Sequence, residues 1–468
     1  MKIESGKKHQ AKDPGFSASD SQKEYIRFLN DRFGGSVIKN FPSDLPSKYP
    51  CSCYPDFKDL FSSDKKIKTI EEKFICAYEL TKEKLGKHMP GMTRRTYLKS
   101  MTAFLLTSAL PFSSSCTLTP SYHDTSDYGI PGLTDEAQVS IVKGDSIEED
   151  VRSAIDLAGG LDEIKEGESV IIKPNCVWHT GEQTFPGTEE PTAPITTNPE
   201  VIRAVIRAVK ERNNAPDKIF VADRSAIILS TLFVMQMQGI YSVALDEGVN
   251  IMPWENTPYL HYTSYKFGYL NKSFDLSETV LNIDHIINVP VLKNHNITYS
   301  LDQAQYTCCL KSFVGVLTAP SRTFGENSFH GENLPEHVAE INLCRPYLMK
   351  NGRPGVTLNI VDATRIIVDG GPHNSIFGEE MKVAYPQMII ASKDRVACDT
   401  AALAVLKYFG GLRNITKDYL ETPIWQQRQI VHAGKLGLGI NDPGRIEIIL
   451  QGFDPDLADG IMKIWEEA

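Results

Sequence analysis

Residues 289–313 read VPVLKNHNITYSLDQAQYTCCLKSF. The run opens as an apolar strand and turns polar within four residues: Lys293, Asn294, His295 and Asn296. A second lysine, Lys311, follows on a stretch read as helical, 303–316. A lysine beside a histidine at a strand end is suited to an anion. The ammonium supplies charge, and the imidazole exchanges protons near neutral pH. Other apolar runs end the same way. Residues 169–173 lead to Lys173, Asn175 and His179; 218–222 lead to Asp223, Arg224 and Ser225. Residues 358–361 lead to Asp362 and Thr364, and 387–392 to Lys393 and Asp394.

In open α/β sheets, ligands bind beyond the carboxyl ends of the strands. The five polar endings are therefore expected to converge on one mouth. In that reading Lys173, Lys293 and Lys311 bind an anion, with Asn175 and Asn296 beside them, and His295 is the acid/base. Asp223 and Asp362 orient the histidine or hold a metal. The competing readings are plain: strands must surface somewhere, and a single histidine often caps a turn. Cys308 and Cys309 are read as apolar packing on the helix. Nine cysteines are present, none in the CxxC spacing of zinc ribbons or iron–sulfur sites. His330 and His337 stand seven apart, which is not the i,i+4 spacing of a helical metal pair. The glycine-rich turn 368–374 is neither a phosphate loop nor a dinucleotide fingerprint.

The elements that position these residues alternate. Strands are expected over 139–144, 169–175, 218–223, 285–293, 358–363, 387–392 and 445–450. Helices are expected after 146, where Ser146 and Glu149 have capping-box spacing. More follow over 198–213, where Asn198 caps and Pro199 takes the first position, and over 229–238 and 335–349. A further helix opens at Asp394 and stops at Gly410-Gly411. The strands are continuous Val/Ile runs, as in a sheet covered on both faces. Such alternation predicts an α/β, doubly wound, mostly parallel sheet with helices on both faces. Residues 241–280 break the pattern and read as an insertion or small cap.

The chain has 468 residues and a formal net charge of −10. Residues 1–116 carry 20 Lys and Arg against 13 Asp and Glu, so the acidic excess lies in the rest. An acidic body of this kind argues against nucleic acid as a partner. No apolar window reaches the roughly 18–20 residues that span a bilayer. The segment 93–116, TRRTYLKSMTAFLLTSALPFSSSC, has the order of an export signal. An arginine pair is followed by Tyr97-Leu98-Lys99, an apolar run 101–112 and small residues. It resembles a twin-arginine signal, and Cys116 is a candidate lipid anchor. The expected organisation is an extension 1–92 (with translation read as starting at Met89 or Met92), the signal 93–116, a linker 117–136, and an α/β domain 137–468. Periplasmic or other extracytoplasmic localisation follows from that reading.

In order along the chain, VIIKPN, TNPEVIRAVI, INVPVLKNHNIT, CLKSFVGVL, LNIVDA, VDGGP and ASKDRVACDTAA resemble the family known as domain of unknown function 362. The resemblance covers roughly 139–450. It implies an α/β fold, maps the family's lysine–histidine pair onto Lys293 and His295, and maps its downstream lysine onto Lys311. Some members carry an added ferredoxin-like module; this chain has no such motif, so the cofactor stays unknown, a metal or other bound group being compatible. The Lys-Asn-His segment is also similar to the anion-handling loop of nickel-dependent lactate racemases, whose cofactor is not carried over. The expected function is an exported enzyme acting on a small anion, with a non-catalytic binding lipoprotein or redox-complex partner as the alternative.

Overall fold

The computed structural model describes residues 120–125, 136–177, 194–225, 230–270, 273–295, 306–318, 320–322, 329, 333–348, 355–370, 381–412 and 418–467. The extension, the signal segment with Cys116, and the residues His179, Asn296 and His330 lie outside these.

The strands are β1 (Ser121–Asp124), β2 (Ala137–Lys143), β3 (Val170–Pro174), β4 (Ile219–Asp223), β5 (Asn250–Pro253), β6 (Tyr259–Ser264) and β7 (Ser273–Ser277). They continue with β8 (His285–Val289), β9 (Val291–Asn294), β10 (Tyr306–Thr307), β11 (Val356–Asp369), β12 (Lys382–Ala384), β13 (Met388–Ser392) and β14 (Ile446–Gln451). The helices are α1 (Ile147–Leu157), α2 (Pro199–Asn213), α3 (Thr231–Met237), α4 (Ile240–Asp246), α5 (Cys309–Ser312) and α6 (Leu334–Ile341). After them come α7 (Arg345–Leu348), α8 (Arg395–Leu412), α9 (Asp418–Glu421), α10 (Arg428–Lys435) and α11 (Pro455–Glu466).

The main sheet runs β14-β2-β13-β11-β8-β3-β4-β5, with β9, β10 and β12 attached beside β11. Strands β3, β8 and β13 are buried at every residue, as continuous Val/Ile runs require. Helices α1 to α4 cover one face and α5 to α8, α10 and α11 the other, each with its own apolar core. This is the doubly wound α/β architecture that the alternation predicts. Local chemistry also matches. Ser146 accepts from Glu149 N to open α1, and Asn198 accepts from Glu200 N ahead of Pro199 in α2.

Several expectations are corrected. Strand β13 runs antiparallel to both its neighbours, β11 and β2. Its carboxyl end therefore lies at the opposite edge of the sheet from those of β3, β4 and β8, and Lys393 and Asp394 cannot join their mouth. Lys393 pairs with Glu163 at 2.5 Å on the surface. Asp394 accepts from Val396 N, Ala397 N and Ile440 N, which caps α8 and ties the 440 loop to it. Helix α8 also runs through Gly410-Gly411 to Leu412. Within the segment read as a linker, β1 pairs parallel with β6, and β6 pairs antiparallel with β7. That separate three-stranded sheet accounts for part of the irregular 241–280 segment.

The expected strand 285–293 is two strands. Pro290 has no N–H to donate and ends β8; its carbonyl accepts from Asp362 N at 2.8 Å. The chain steps across, and β9 pairs with the far half of β11 and with β10. Lys293 thus lies inside a strand, opposite Thr307, not at a solvent exit. The expected helix 303–316 is correspondingly short: β10 takes Tyr306–Thr307, and only α5 and a 3₁₀ turn over 313–316 remain helical.

Asp394→Ala should cost about 1–3 kcal/mol, because it strands buried backbone N–H groups. Urea unfolding measures this; a loss below about 0.5 kcal/mol, the range of neutral surface changes, would show that the capping carboxylate is dispensable.

Candidate active site

The chain leaves β3 for β4 and β5 on one side, then returns to β8 on the other side of β3. Strand order reverses at β3/β8, the kind of crevice where doubly wound sheets bind ligands. Three lysines gather there: Lys173 in β3, Lys293 in β9 and Lys311 in α5, all buried.

Lys173 Nζ forms an ion pair with Asp223 Oδ1 at 2.8 Å. It also donates to Ser312 Oγ and to the Pro174 carbonyl, each at 3.1 Å, and stands 5.7 Å from the Trp254 ring centroid. The second oxygen of Asp223 accepts from Cys176 N at 2.6 Å. Lys293 is placed differently. Its Nζ donates to the Ile195 carbonyl at 2.5 Å and to Asn175 Oδ1 at 3.3 Å, both neutral acceptors. Burial first, and then the charge of Lys311, pull its ammonium down to about 7, with Asp223 opposing. A neutral amine has two N–H groups, and two acceptors are what it finds. Nearby, Arg322 donates to the carbonyls of Leu317, Ser225, Arg224 and Gly315. Burial and the charge of Arg224 pull it to about 9. Glu255 is bound to the backbone N–H and hydroxyl of Thr231.

Helix α5 owes its position to side chains rather than length. Asp399 accepts from Cys309 N at 2.7 Å. Asn288 donates to the Cys309 carbonyl at 3.1 Å, and Asn342 to the Leu310 carbonyl at 3.0 Å. These anchors fix Lys311 and Ser312 over the end of β3. Gly315, just beyond, leaves room for the Lys173–Asp223 pair: a Cβ there would overlap Asp223 Oδ1 and stand 3.0 Å from Lys173 Nζ.

The sequence-expected residues therefore divide. Lys173, Asn175, Asp223, Lys293 and Lys311 are brought together. His295 lies buried two residues beyond Lys293, with Nδ1 3.2 Å from Thr307 Oγ1. Asp223 orients a lysine rather than the histidine. Asp362 is inside the long strand β11, where it accepts from Asn198 N, Thr364 N and Thr364 Oγ1 and so ties down the start of α2. Burial raises its carboxyl above the usual range. His337 has its ring nitrogens at the Phe329 and Tyr269 carbonyls, 2.7 and 3.2 Å away, so it is spent on backbone. Sequence reading missed Ser312, Trp254, Cys176 and Arg322. Pro174 and the tight spacing Lys173-x-Asn175-Cys176 could have pointed to Cys176; nothing local marks the others. Among the described residues, one group suited to a metal occurs: Cys308, Cys309 and Asp399, with ligand atoms within 4.8 Å of one another.

Residues 170–404 match the model of a family described as Domain of unknown function (DUF362). No curated protein matches the chain. Among solved structures, the lactate racemase apoprotein from Thermoanaerobacterium thermosaccharolyticum is similar at 14% identity and a TM-score of 0.30. The likeness covers 61% of this chain, which spans 61% of the length of that one.

Gly315→Ala should destabilise by about 1–3 kcal/mol through overpacking against the ion pair; thermal and urea unfolding at wild-type stability would refute the close fit. The second test uses pH. The folded-state value of Lys293 lies below the ordinary 10.5 of a lysine. Between about 7 and 10.5 the unfolded chain thus holds a proton that the folded chain lacks, and stability rises with pH. Below about 7 the charged lysine costs stability throughout. The stability difference between wild type and Lys293→Met should therefore shift in favour of wild type from pH 7 to 9, by at most about 1.4 kcal/mol per pH unit. A difference that stays flat with pH would show that Lys293 is not held as described.

Proposed function

The chain belongs to the family described as Domain of unknown function (DUF362), and on that premise we propose an exported enzyme that acts on a small anionic substrate or cofactor at the β3/β8 switch point. One observation carries the reading: Lys293 is buried against neutral acceptors, beside a second buried lysine. Lys173 has Asp223, whereas Lys293 has no carboxylate within ion-pair reach among the described residues and lies close enough to Lys311 to feel its charge. Below about pH 7, where Lys293 holds its proton, an ammonium with no carboxylate beside it in a low-dielectric interior is expensive. A small anion entering the site offsets that cost and restores the ammonium of Lys293. Lys173 and Asn175 form the floor, and His295, beside Thr307, is the proton carrier. A phosphate or a carboxylate provides the required charge in a small volume.

Export rests on the segment 93–116, where Arg94-Arg95 precedes Leu98 and the apolar run. A twin-arginine route carries folded proteins, consistent with a site that has to be assembled before export. The protein then works outside the cytoplasm, with Cys116 as the point of lipid attachment. No helix among the described residues is long and apolar enough to cross a membrane.

Calorimetric titration with phosphate, sulfate and acetate tests the site. Lys293→Met and Lys311→Met should each weaken the best of these anions at least about tenfold, the equivalent of 1.4 kcal/mol. Wild-type affinity should fall as pH rises above about 7, with Lys293→Met flattening the profile. Unchanged affinity in both variants would place the anion elsewhere. Once a turnover assay exists, His295→Ala should cost about 10²–10⁴-fold in rate with binding retained; a variant that turns over normally would leave a binding protein as the better description.

A further inference from the structure

On the other side of α5, away from the lysines, Cys308 and Cys309 meet Asp399 of α8 in a wholly buried group. Three observations there are independent of one another. First, the two sulfurs are 3.8 Å apart. Two thiolates on one tetrahedral zinc, with bonds of about 2.3 Å, stand about 3.8 Å apart. Second, Asp399 is buried with no cation in ion-pair reach among the described residues. Its carboxylate accepts from Cys309 N at 2.7 Å and from the thiols of Cys308 and Cys309, so both sulfurs already face its oxygens, and its Oδ2 stands 3.2 Å from Gln429 Nε2 and 3.4 Å from Tyr306 Oη. Third, Gln429 of α10 is itself buried, and its Oε1 has no hydrogen-bond partner. Turning its amide over would bring Oε1 to about the present position of Nε2, near Asp399 Oδ2. Two oxygen ligands on a tetrahedral zinc with bonds of about 2.0 Å stand about 3.3 Å apart.

We propose that Cys308, Cys309, Asp399 and Gln429 form a closed structural site for zinc. Two thiolates, one carboxylate oxygen and one amide oxygen complete a tetrahedron of the hard-and-soft mixture that zinc accepts. Binding releases the two thiol protons to solvent, and Zn²⁺ then balances two thiolates, leaving only the Asp399 charge beside the α5 N–H group that it already caps. The absence of an opening suits a structural rather than a catalytic metal, taken up as the chain folds. The site joins α5, α8 and α10, so its metal would hold from beneath the short helix that presents Lys311 and Ser312. Cys398, whose thiol also lies against Cys309, is outside the ligand set.

The full-length protein, produced in zinc-supplemented medium and purified without chelator, should contain one zinc per chain by elemental mass spectrometry. Growth on Co²⁺ instead should give the thiolate charge-transfer absorption and the visible bands of tetrahedral cobalt. Cys309→Ser should weaken Zn²⁺ binding more than about 100-fold, beyond what loss of a supporting residue costs, and Gln429→Ala should weaken it about tenfold. Cys398→Ser and Cys344→Ser should leave metal content unchanged. Should Cys309→Ser fail to fold, the wild-type cobalt spectrum and Gln429→Ala decide the matter. Metal-free wild-type protein, cobalt bound without thiolate absorption, or zinc lost on Cys344→Ser or Cys398→Ser would each overturn the assignment.

Discussion

The buried ion pair between Lys173 and Asp223 is the contact on which the rest of the mouth is arranged. It links β3 to β4 at 2.8 Å, and Ser312 and Cys176 N add hydrogen bonds from either side. Two ions taken out of water cost several kcal/mol each, and mutual attraction recovers that cost only when every remaining lone pair and proton is satisfied. Here the Pro174 carbonyl, the Ser312 hydroxyl and a backbone N–H do so. This dictates two neighbours. Position 315 has to be glycine-sized, and α5 has to bring Ser312 to a fixed height over β3. The pair thereby sets the geometry of the mouth while contributing no net charge to it; Lys293 and Lys311 lie beside it without taking part in the pair.

Helix α5 shows how a four-residue helix can hold a buried lysine in place. Too short to be stable by propensity, it is gripped by Asp399 at its first N–H and by Asn288 and Asn342 at its carbonyls. Asn288 in turn donates to Asn359 on the neighbouring strand, so the grip is continuous with the centre of the sheet. Buried amides of this kind cost more than apolar residues unless satisfied. They stand between two polar regions of opposite character: cationic toward the sheet ends, thiol and carboxylate toward α8. The same backbone serves both, which makes the placement of Lys311 sensitive to whatever occupies the cysteine side.

Much of this arrangement is legible in the sequence, for identifiable reasons. Continuous Val/Ile runs, the Asn198-Pro199 start of α2 and the Ser146 cap are local signals, and the architecture follows from them. Lys173, Asp223 and Lys293 were legible as polar residues closing apolar runs. Strand direction was not: nothing in QMIIAS states that β13 runs antiparallel, and without that fact Lys393 and Asp394 look equivalent to Lys173 and Asp223. Pro290 carried a signal that a strand breaks there, but not that the chain resumes against β11 and encloses Lys293. Asp362 reads as a strand end only if β11 is cut at 363; the strand runs on to Asp369 and turns the carboxylate toward Asn198. Ser312, Trp254 and Arg322 join the site through contacts far apart in sequence, which no local pattern encodes.

The charge distribution bears on the proposed choice of a small anion. The chain as a whole is acidic, with a formal net charge of −10, yet its switch point holds buried cations. These act at different ranges. Surface charge is screened over about 8–10 Å at physiological ionic strength, so a polyanion laid along the protein meets its acidic exterior at many points. A small anion crosses that layer once and then meets Lys293 and Lys311 where little water screens them. The inner field is therefore strong for a ligand compact enough to reach it and irrelevant to one that is not. For the small anion proposed above, such a site would discriminate by size through electrostatics before any hydrogen bond is made, with the amide of Asn175 and the imidazole of His295 as the groups proposed to recognise it.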